Sequence, residues 1–272
     1  MADVAHPPET LEGWYLAHRV LRVERPSLRA LSARRHADAA AEADRAIASL
    51  VGPEEQGWSI AVPLAGSRGD VMIVHARPTL DSIASAERAL ARCTLFDVMA
   101  SEYTFLSVLE AGLYHITAEL AREAAARGGA VGDDEYRARL AERARSEREG
   151  GQLKRRLQPQ LPDDLPYVCF YPMSKRRESG ANWYALTLDE RSRLMQAHGL
   201  TGRRYAGRVQ QLISGAIGLD EWEWGVTLFA KDPLDFKKLV TDMRFDEVSA
   251  VYATFGRFFV GRRGTFAEAL SR

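Results

Sequence analysis

Few residues of this chain are candidates for chemistry, because the familiar catalytic signatures are missing. There is no Gly-x-x-x-x-Gly-Lys-Ser/Thr phosphate loop, no dinucleotide glycine fingerprint, no Gly-x-Ser-x-Gly elbow and no His-Glu-x-x-His pair. The six histidines stand at 6, 18, 36, 75, 115 and 198. None pairs with another at i, i+3 or i+4, which argues against a helix-borne zinc or di-iron site. His198 lies in the last turn of a helix expected over 188–198, on the face shared with Leu194 and Met195. An imidazole there either hydrogen-bonds inside the core or ligates something large and apolar. A haem iron is the main case, since one neutral imidazole is a common axial ligand. Tyr171 sits in a strand and is followed by Pro172 and then by Met173-Ser-Lys-Arg-Arg177. Proline places that point at an edge or a bulge, where a side chain can be re-aimed. Lys175, Arg176 and Arg177 either grip carboxylates or phosphates or form a polar hairpin end. Gln211 shares a strand face with Val209 and Ile213, so it is paired in the core or open to a cavity. Trp183, Trp222 and Trp224 read as core.

These side chains need elements to position them. Residues 13–23 and 103–109 read as strands, and 58–64 with 70–77 as a hairpin turning at Gly66-Ser-Arg-Gly69. Residues 27–51 and 80–93 read as helices. The pattern returns with strands at 167–173 and 251–260, and a hairpin of 208–217 and 222–230 turning at Gly218-Leu-Asp-Glu221. The second helices are 188–198, opened by a Thr187/Glu190 capping box and stopped at Gly199, and 233–243, with Asp232 as N-cap and Pro233 at the first helical position. Phe236, Leu239, Val240 and Met243 recur at i, i+3, i+4 and i+7, one buried face. The chain therefore reads as two β-α-β-β-α-β units of ferredoxin-like order, whose sheets pack face to face or join in a barrel with helices outside. Residues 120–156 are rich in Ala, Arg and Glu and read as a solvated helix or mobile linker. The domain expectation is an N-terminal half over 1–119, a charged linker over 120–160 and a C-terminal half over 161–272 that carries the site.

The chain has 272 residues, with 37 Lys and Arg against 37 Asp and Glu. It lacks the basic excess of a nucleic-acid binder. From Gly151 to Arg208, however, 11 cations face 5 anions. That local excess suits a specific anionic ligand better than a long polyanion, or is a solvated basic face. Two cysteines, Cys93 and Cys169, make no disulfide framework and no four-ligand zinc site. The opening ten residues carry no secretory pattern and no stretch is apolar enough for a membrane helix, so a cytoplasmic setting is expected.

The C-terminal motifs resemble a known family. Phe170-Tyr-Pro-Met-Ser-Lys-Arg-Arg177, Asn182-Trp-Tyr184, His198-Gly199, Gly202-Arg-Arg-Tyr-Ala-Gly207, Trp224-Gly-Val-Thr-Leu-Phe-Ala230 and Met243-Arg-Phe-Asp-Glu-Val-Ser-Ala250 are similar to the coproheme decarboxylases, the haem-synthesis branch of the chlorite dismutase-like family. The dense match covers about 165–262, and Glu12-Gly-Trp-Tyr15 fits the family's opening strand. The resemblance implies an α+β fold of tandem ferredoxin-like repeats forming a dimeric α+β barrel, assembled as a homopentamer. It implies a hydrogen peroxide-dependent oxidoreductase that decarboxylates two propionates of iron coproporphyrin III (coproheme) to vinyls, giving haem b.

Residue by residue, the resemblance makes His198 the proximal iron ligand and Tyr171 the catalytic tyrosine that becomes a radical beside a propionate. Lys175, Arg244 and Ser249 match positions that hold propionates, and Met173 and Trp183 match pocket residues near the porphyrin. Either Arg155 or Arg156 matches a further propionate contact. Gln211 matches the distal position of the branch with Gln there, where chlorite dismutases proper place Arg, which weighs against chlorite chemistry. Glutamine is no base at neutral pH, so slow reaction with peroxide and poor general peroxidase activity are expected. The alternatives are a haem carrier or sensor on the same fold, and chlorite dismutation. The partners implied are coproheme, peroxide, further copies of the chain and a transient contact with coproporphyrin ferrochelatase, with no nucleic acid and no membrane.

Overall fold

The computed structural model describes residues 6–149 and 151–271. The first five residues, on which part of the expectation about a leader rests, and one glycine of the 150–151 pair lie outside them. The strands are β1 (Thr10–Val23), β2 (Trp58–Ala65), β3 (Val71–Arg77), β4 (Met99–Gly112), β5 (Tyr167–Lys175), β6 (Val209–Gly215), β7 (Trp224–Ala230), β8 (Ala253–Phe255) and β9 (Phe259–Arg262). The helices are α1 (Arg25–Ala30), α2 (Ala33–Ser49), α3 (Leu80–Ala91), α4 (Tyr114–Ala126), α5 (Asp134–Glu149), α6 (Gly151–Leu157), α7 (Leu188–Arg203), α8 (Leu234–Arg244), α9 (Glu247–Tyr252) and α10 (Phe266–Leu270).

All the strands join one antiparallel sheet, and it closes on itself. The order β7-β6-β4-β1-β3-β2-β9-β5-β8 is completed by pairing of β5 with β7 along its whole length. Within each half the order is that of a ferredoxin-like unit: β4-β1-β3-β2 in the first, β9-β5-β7-β6 in the second. Two short seams join the halves, Val108 and Leu109 against Gly215 and Ser214, and Leu64 and Ala65 against Gly261 and Val260. The barrel, rather than two stacked sheets, is the outcome. It leaves only β8 as an outer appendage.

Strand alternation divides side chains between the lumen and the outside. Leu16, Val20, Phe105, Phe170, Phe229 and Phe259 point inward and fill the lumen. Each fully buried Phe, Leu or Val contributes roughly 1.5–3 kcal/mol before entropy is counted. Outside the first half, Ala61, Val71 and Ile73 meet Ala40, Ala43 and Ile47 of α2, Leu90 of α3 and Phe266 of α10. Outside the second half, Cys169, Val226 and Leu228 meet Phe236 and Leu239 of α8. The alternation is interrupted at Gly13. The β1–β4 register shifts there, and a Cβ would stand 2.2 Å from the Leu157 carbonyl oxygen of α6.

Several elements differ from their sequence expectation. The expected 27–51 helix is two, because Ser32 accepts from the Arg35 N–H and restarts the chain as an N-cap. The strand near 103–109 extends over the fourteen residues of β4. Gly199 does not stop α7, which runs on to Arg203. The left-handed residue is Gly207, at φ 81°. Pro233 is the N-cap of α8, and Asp232 instead accepts from the Leu234 N–H. The last strand is divided into β8 and β9, both on β5. Pro172 stands where β5 changes partner, so its missing N–H costs no ladder bond; its carbonyl accepts from Gly256. Residues 120–156 fall in α4, α5 and α6. Leu120 and Ala124 pack on Tyr136, and Leu153 and Leu157 pack on Leu11 and Ala111. No helix among the described residues is long and apolar enough to cross a membrane.

Candidate functional site

The outward face of β6, β7 and β5 is the floor of the candidate site. Gln211 pairs with Leu228, which pairs with Cys169; Ile213 pairs with Val226, which pairs with Tyr171; Gly215 pairs with Trp224, which pairs with Met173. Gln211, Tyr171 and Met173 thus share one face in successive rows. Lys175 follows on that face two residues beyond Met173. The Tyr171 ring stacks on Phe258 with centroids 4.3 Å apart, and Phe255 lies at 6.0 Å. Tyr171 is 8% exposed. Burial, reinforced by Cys169 and opposed by Arg244, raises its pKa well above the ordinary phenol range, so the hydroxyl keeps its proton.

Helix α7 lies over this floor. A Cβ on Gly202 would come within 3.1 Å of Met243 Cε and 3.5 Å of Gln211 Nε2. His198 is one turn earlier on the same face. Its Nδ1–H donates to Asp246 Oδ2 at 3.0 Å, which leaves Nε2 without a partner among the described residues. Asp246 is also the N-cap of α9, accepting from the Ser249 N–H at 3.1 Å. Burial pushes the Asp246 carboxyl up, but His198, the Ser249 N–H and the Lys175 charge outweigh it and hold the pKa below the usual range. A carboxylate on the far nitrogen of an imidazole fixes its tautomer and makes the near nitrogen a better ligand.

Two cations stand beside the floor without a carboxylate partner among the described residues. The Arg244 guanidinium, at the end of α8, lies 3.5 Å from the Phe255 ring centroid. Lys175 is 9% exposed, and its Nζ lies 4.2 Å over the Trp183 ring. Burial lowers the Lys175 pKa to about 8, against the raising effect of Asp246 and Glu223. Trp183 itself is covered, packed with Leu194 and Val248 beneath α7 and α9. Ser249 is buried in the first turn of α9. Arg155 and Arg156 belong to α6, which packs on β1, β4 and α5. Desolvation lowers the Arg156 pKa.

Two participants escaped the sequence reading. Asp246 was overlooked although Asp-x-x-Ser before Val and Ala is an N-cap signal within a quoted motif. Glu223, 5% exposed, accepts from the Lys175 backbone N–H at 2.6 Å and from Arg177. No local signal marks a buried carboxylate in a hairpin end.

The chlorite dismutase family model matches residues 36–264. The chain belongs to the chlorite dismutase family. Within the family's range, a coproheme decarboxylase of Staphylococcus carnosus is 37% identical over 255 residues, which are 93% of this chain and 92% of that protein. A solved haem-binding protein from Thermus thermophilus is 38% identical with a TM-score of 0.81, over 98% of this chain and 97% of that one. A chlorite dismutase variant of Candidatus Nitrospira defluvii is 18% identical with a TM-score of 0.69, over 96% and 94%, a likeness of fold alone.

Proposed function

We propose that this chain is a coproheme decarboxylase, converting two propionates of iron coproporphyrin III to vinyls with hydrogen peroxide and yielding haem b for haem synthesis. The observation that carries the reading is the buried Tyr171 phenol beside the uncompensated Arg244, on a floor covered by the helix of His198. The donor set fits the ligand. An imidazole with a free Nε2 suits a haem iron, apolar walls of Val226, Leu228 and Met243 suit a porphyrin face, and Lys175 and Arg244 suit carboxylates. Similarity over nearly the full length to a coproheme decarboxylase supports the same reading.

Iron coproporphyrin, when bound, is both substrate and redox centre, and with peroxide it supplies the oxidising equivalents. The chain's own residues do the rest. His198 holds the iron, and Asp246 holds His198. Lys175, Arg244 and Ser249 hold propionates, and Met173 and Trp183 shape the pocket. Tyr171 gives up its hydroxyl hydrogen as a proton and an electron, then takes a hydrogen atom from a propionate β-carbon. Each propionic acid group and one peroxide give one vinyl group, one carbon dioxide and two waters. Gln211 lacks a basic lone pair, so it leaves peroxide activation slow and unspecific oxidation weak. The protein acts in the cytoplasm as a homopentamer and meets the ferrochelatase transiently to receive substrate.

The test is to add peroxide to the purified protein with ferric coproporphyrin III and follow the porphyrin by mass spectrometry. Stepwise loss of two carboxyl groups, abolished in Tyr171→Phe, is the expected result. Tight binding with no mass change other than bleaching would overturn it in favour of a haem carrier.

A further inference from the structure

Phe258 joins none of the buried clusters among the described residues, and the one ring it touches there is that of Tyr171. The centroids are 4.3 Å apart and the planes 23° from parallel. Phe258 is 36% exposed, whereas Tyr171 beneath it is 8% exposed. A β-bulge delivers the ring to that place. Phe259 of β9 pairs with Phe170, and Phe255 of β8 pairs with Met173. Gly256, Arg257 and Phe258 therefore stand opposite only Tyr171 and Pro172, and the extra residue re-aims the side chain. The corner is tied to β5, because the Gly256 N–H donates to the Pro172 carbonyl at 2.9 Å. It runs so close that a Cβ on Gly256 would stand 2.6 Å from Pro172 Cγ. Phe255 lies 6.0 Å from the Tyr171 ring and is itself held by the Arg244 guanidinium. A ring left this far in water adds little to folding. What it does cover is one face of a phenol.

The second side-chain torsion of a tyrosine is broad, so a neighbour must fix the plane of its ring. A hydrogen atom is taken efficiently only when the two reacting atoms are held in line at contact distance. The type of neighbour matters as well. Phenylalanine is the aromatic side chain hardest to oxidise, and both rings against Tyr171 are phenylalanine. Resting on the decarboxylase reading, we propose that Phe258 is a positioning residue for Tyr171. Its ring fixes the plane of the phenol, screens it from water and offers its oxidised form no oxidisable ring in contact. The oxidising equivalent then stays on Tyr171 until it meets the propionate β-carbon.

The experiment has a ligand-free arm and a loaded arm. In the first, tetranitromethane is added to the ligand-free protein and nitration at Tyr171 is timed by mass spectrometry. Phe258→Ala should quicken it severalfold, and Phe258→Leu, which keeps apolar bulk without the ring, should quicken it less. In the second, the kcat for decarboxylation should fall about tenfold in Phe258→Ala, while affinity for ferric coproporphyrin III changes by less than about twofold. Electron paramagnetic resonance of protein loaded with haem b and frozen after peroxide reads the ring plane directly. The β-methylene couplings of the Tyr171 radical should form one set in wild type and spread in Phe258→Ala. Phe258→Trp keeps the stack and adds an oxidisable ring. Its indole can give an electron and its N–H proton to the oxidised phenol, which restores the phenol and strands the radical on the indole. That variant should nitrate at Tyr171 as slowly as wild type yet yield less vinyl product per peroxide. An unchanged nitration rate or an unchanged kcat in Phe258→Ala would overturn the assignment. So would a loss of affinity as large as the loss of kcat, which would make Phe258 a wall of the porphyrin pocket. Wild-type protein that leaves coproporphyrin unaltered would instead sink the functional reading, while the nitration rates still decide whether Phe258 screens Tyr171.

Discussion

Replacing Asp246 separates two jobs that one carboxylate performs. Oδ1 caps α9 through the Ser249 N–H, and Oδ2 accepts from His198 Nδ1. Loss of an N-cap costs about 1 kcal/mol, within a range of about 0.5–2. A charge-assisted hydrogen bond contributes about 1.5–3 kcal/mol when desolvated. The His198 and Asp246 side chains are 25% and 10% exposed, so the lower end of that range applies. Asp246→Ala should therefore cost about 2–3 kcal/mol. Asn has one acceptor oxygen where Asp has two, so it caps the helix as well as Asp does but turns its NH2 toward His198 Nδ1. Asp246→Asn should lose about 1.5 kcal/mol, the bond to His198. Urea unfolding of the ligand-free proteins measures both. In the haem-loaded proteins both changes should lower the iron–histidine stretching frequency, because the imidazole loses the partner that makes it a stronger ligand. Equal destabilisation by Ala and Asn would refute the capping argument. An unmoved stretching frequency in both would refute the positioning of His198.

Three further outcomes are expected. His18 and His75 are buried neutral, with pKa values lowered to about 3 chiefly by burial, so between pH 6.5 and 3 the unfolded chain binds protons that the folded chain refuses. Stability should then fall as pH drops through that window, by up to about 1.4 kcal/mol per pH unit for each histidine, and urea midpoints for His75→Asn should show about half the wild-type slope; equal slopes would refute this. Gly13→Ala would force a Cβ against the Leu157 carbonyl at 2.2 Å, so α6 should lift from β1, the protein should lose about 2 kcal/mol or more, and limited proteolysis within 151–157 should quicken. Arg244→Leu should weaken coproporphyrin binding about tenfold and flatten its salt dependence, whereas an unchanged salt slope would remove Arg244 from the propionate contacts.

What could be read from the sequence follows the range of the interactions involved. Alternation in Trp14, Leu16, His18 and Val20, or in Val168, Phe170 and Pro172, is a property of neighbours two apart, and it located the strands. The Thr187/Glu190 box, a contact over three residues, located the start of α7. Its end was misplaced because Gly199 carries weak local information. A Cβ there would meet nothing within 4 Å, and the helix continues to where Tyr205 packs on the sheet. Closure of the barrel depends on pairs such as Val108 with Gly215, more than a hundred residues apart, which no local pattern encodes. The helical character of 120–156 was hidden differently. Ile116, Leu120 and Ala124 make a narrow stripe among charges, and it becomes a core only when α5 folds back to lay Tyr136 on it. The site divides along the same line. Tyr171, Met173 and Lys175 share a strand face by simple alternation, and their types already point to redox and anion chemistry. Asp246 and Glu223 became visible only with the fold, because their roles lie in the partners they take from other elements. Asp246 and Glu223 lie near enough to Lys175 for their charge to oppose the effect of its burial, yet both spend their hydrogen bonds on groups other than its ammonium, a division that only the assembled fold displays.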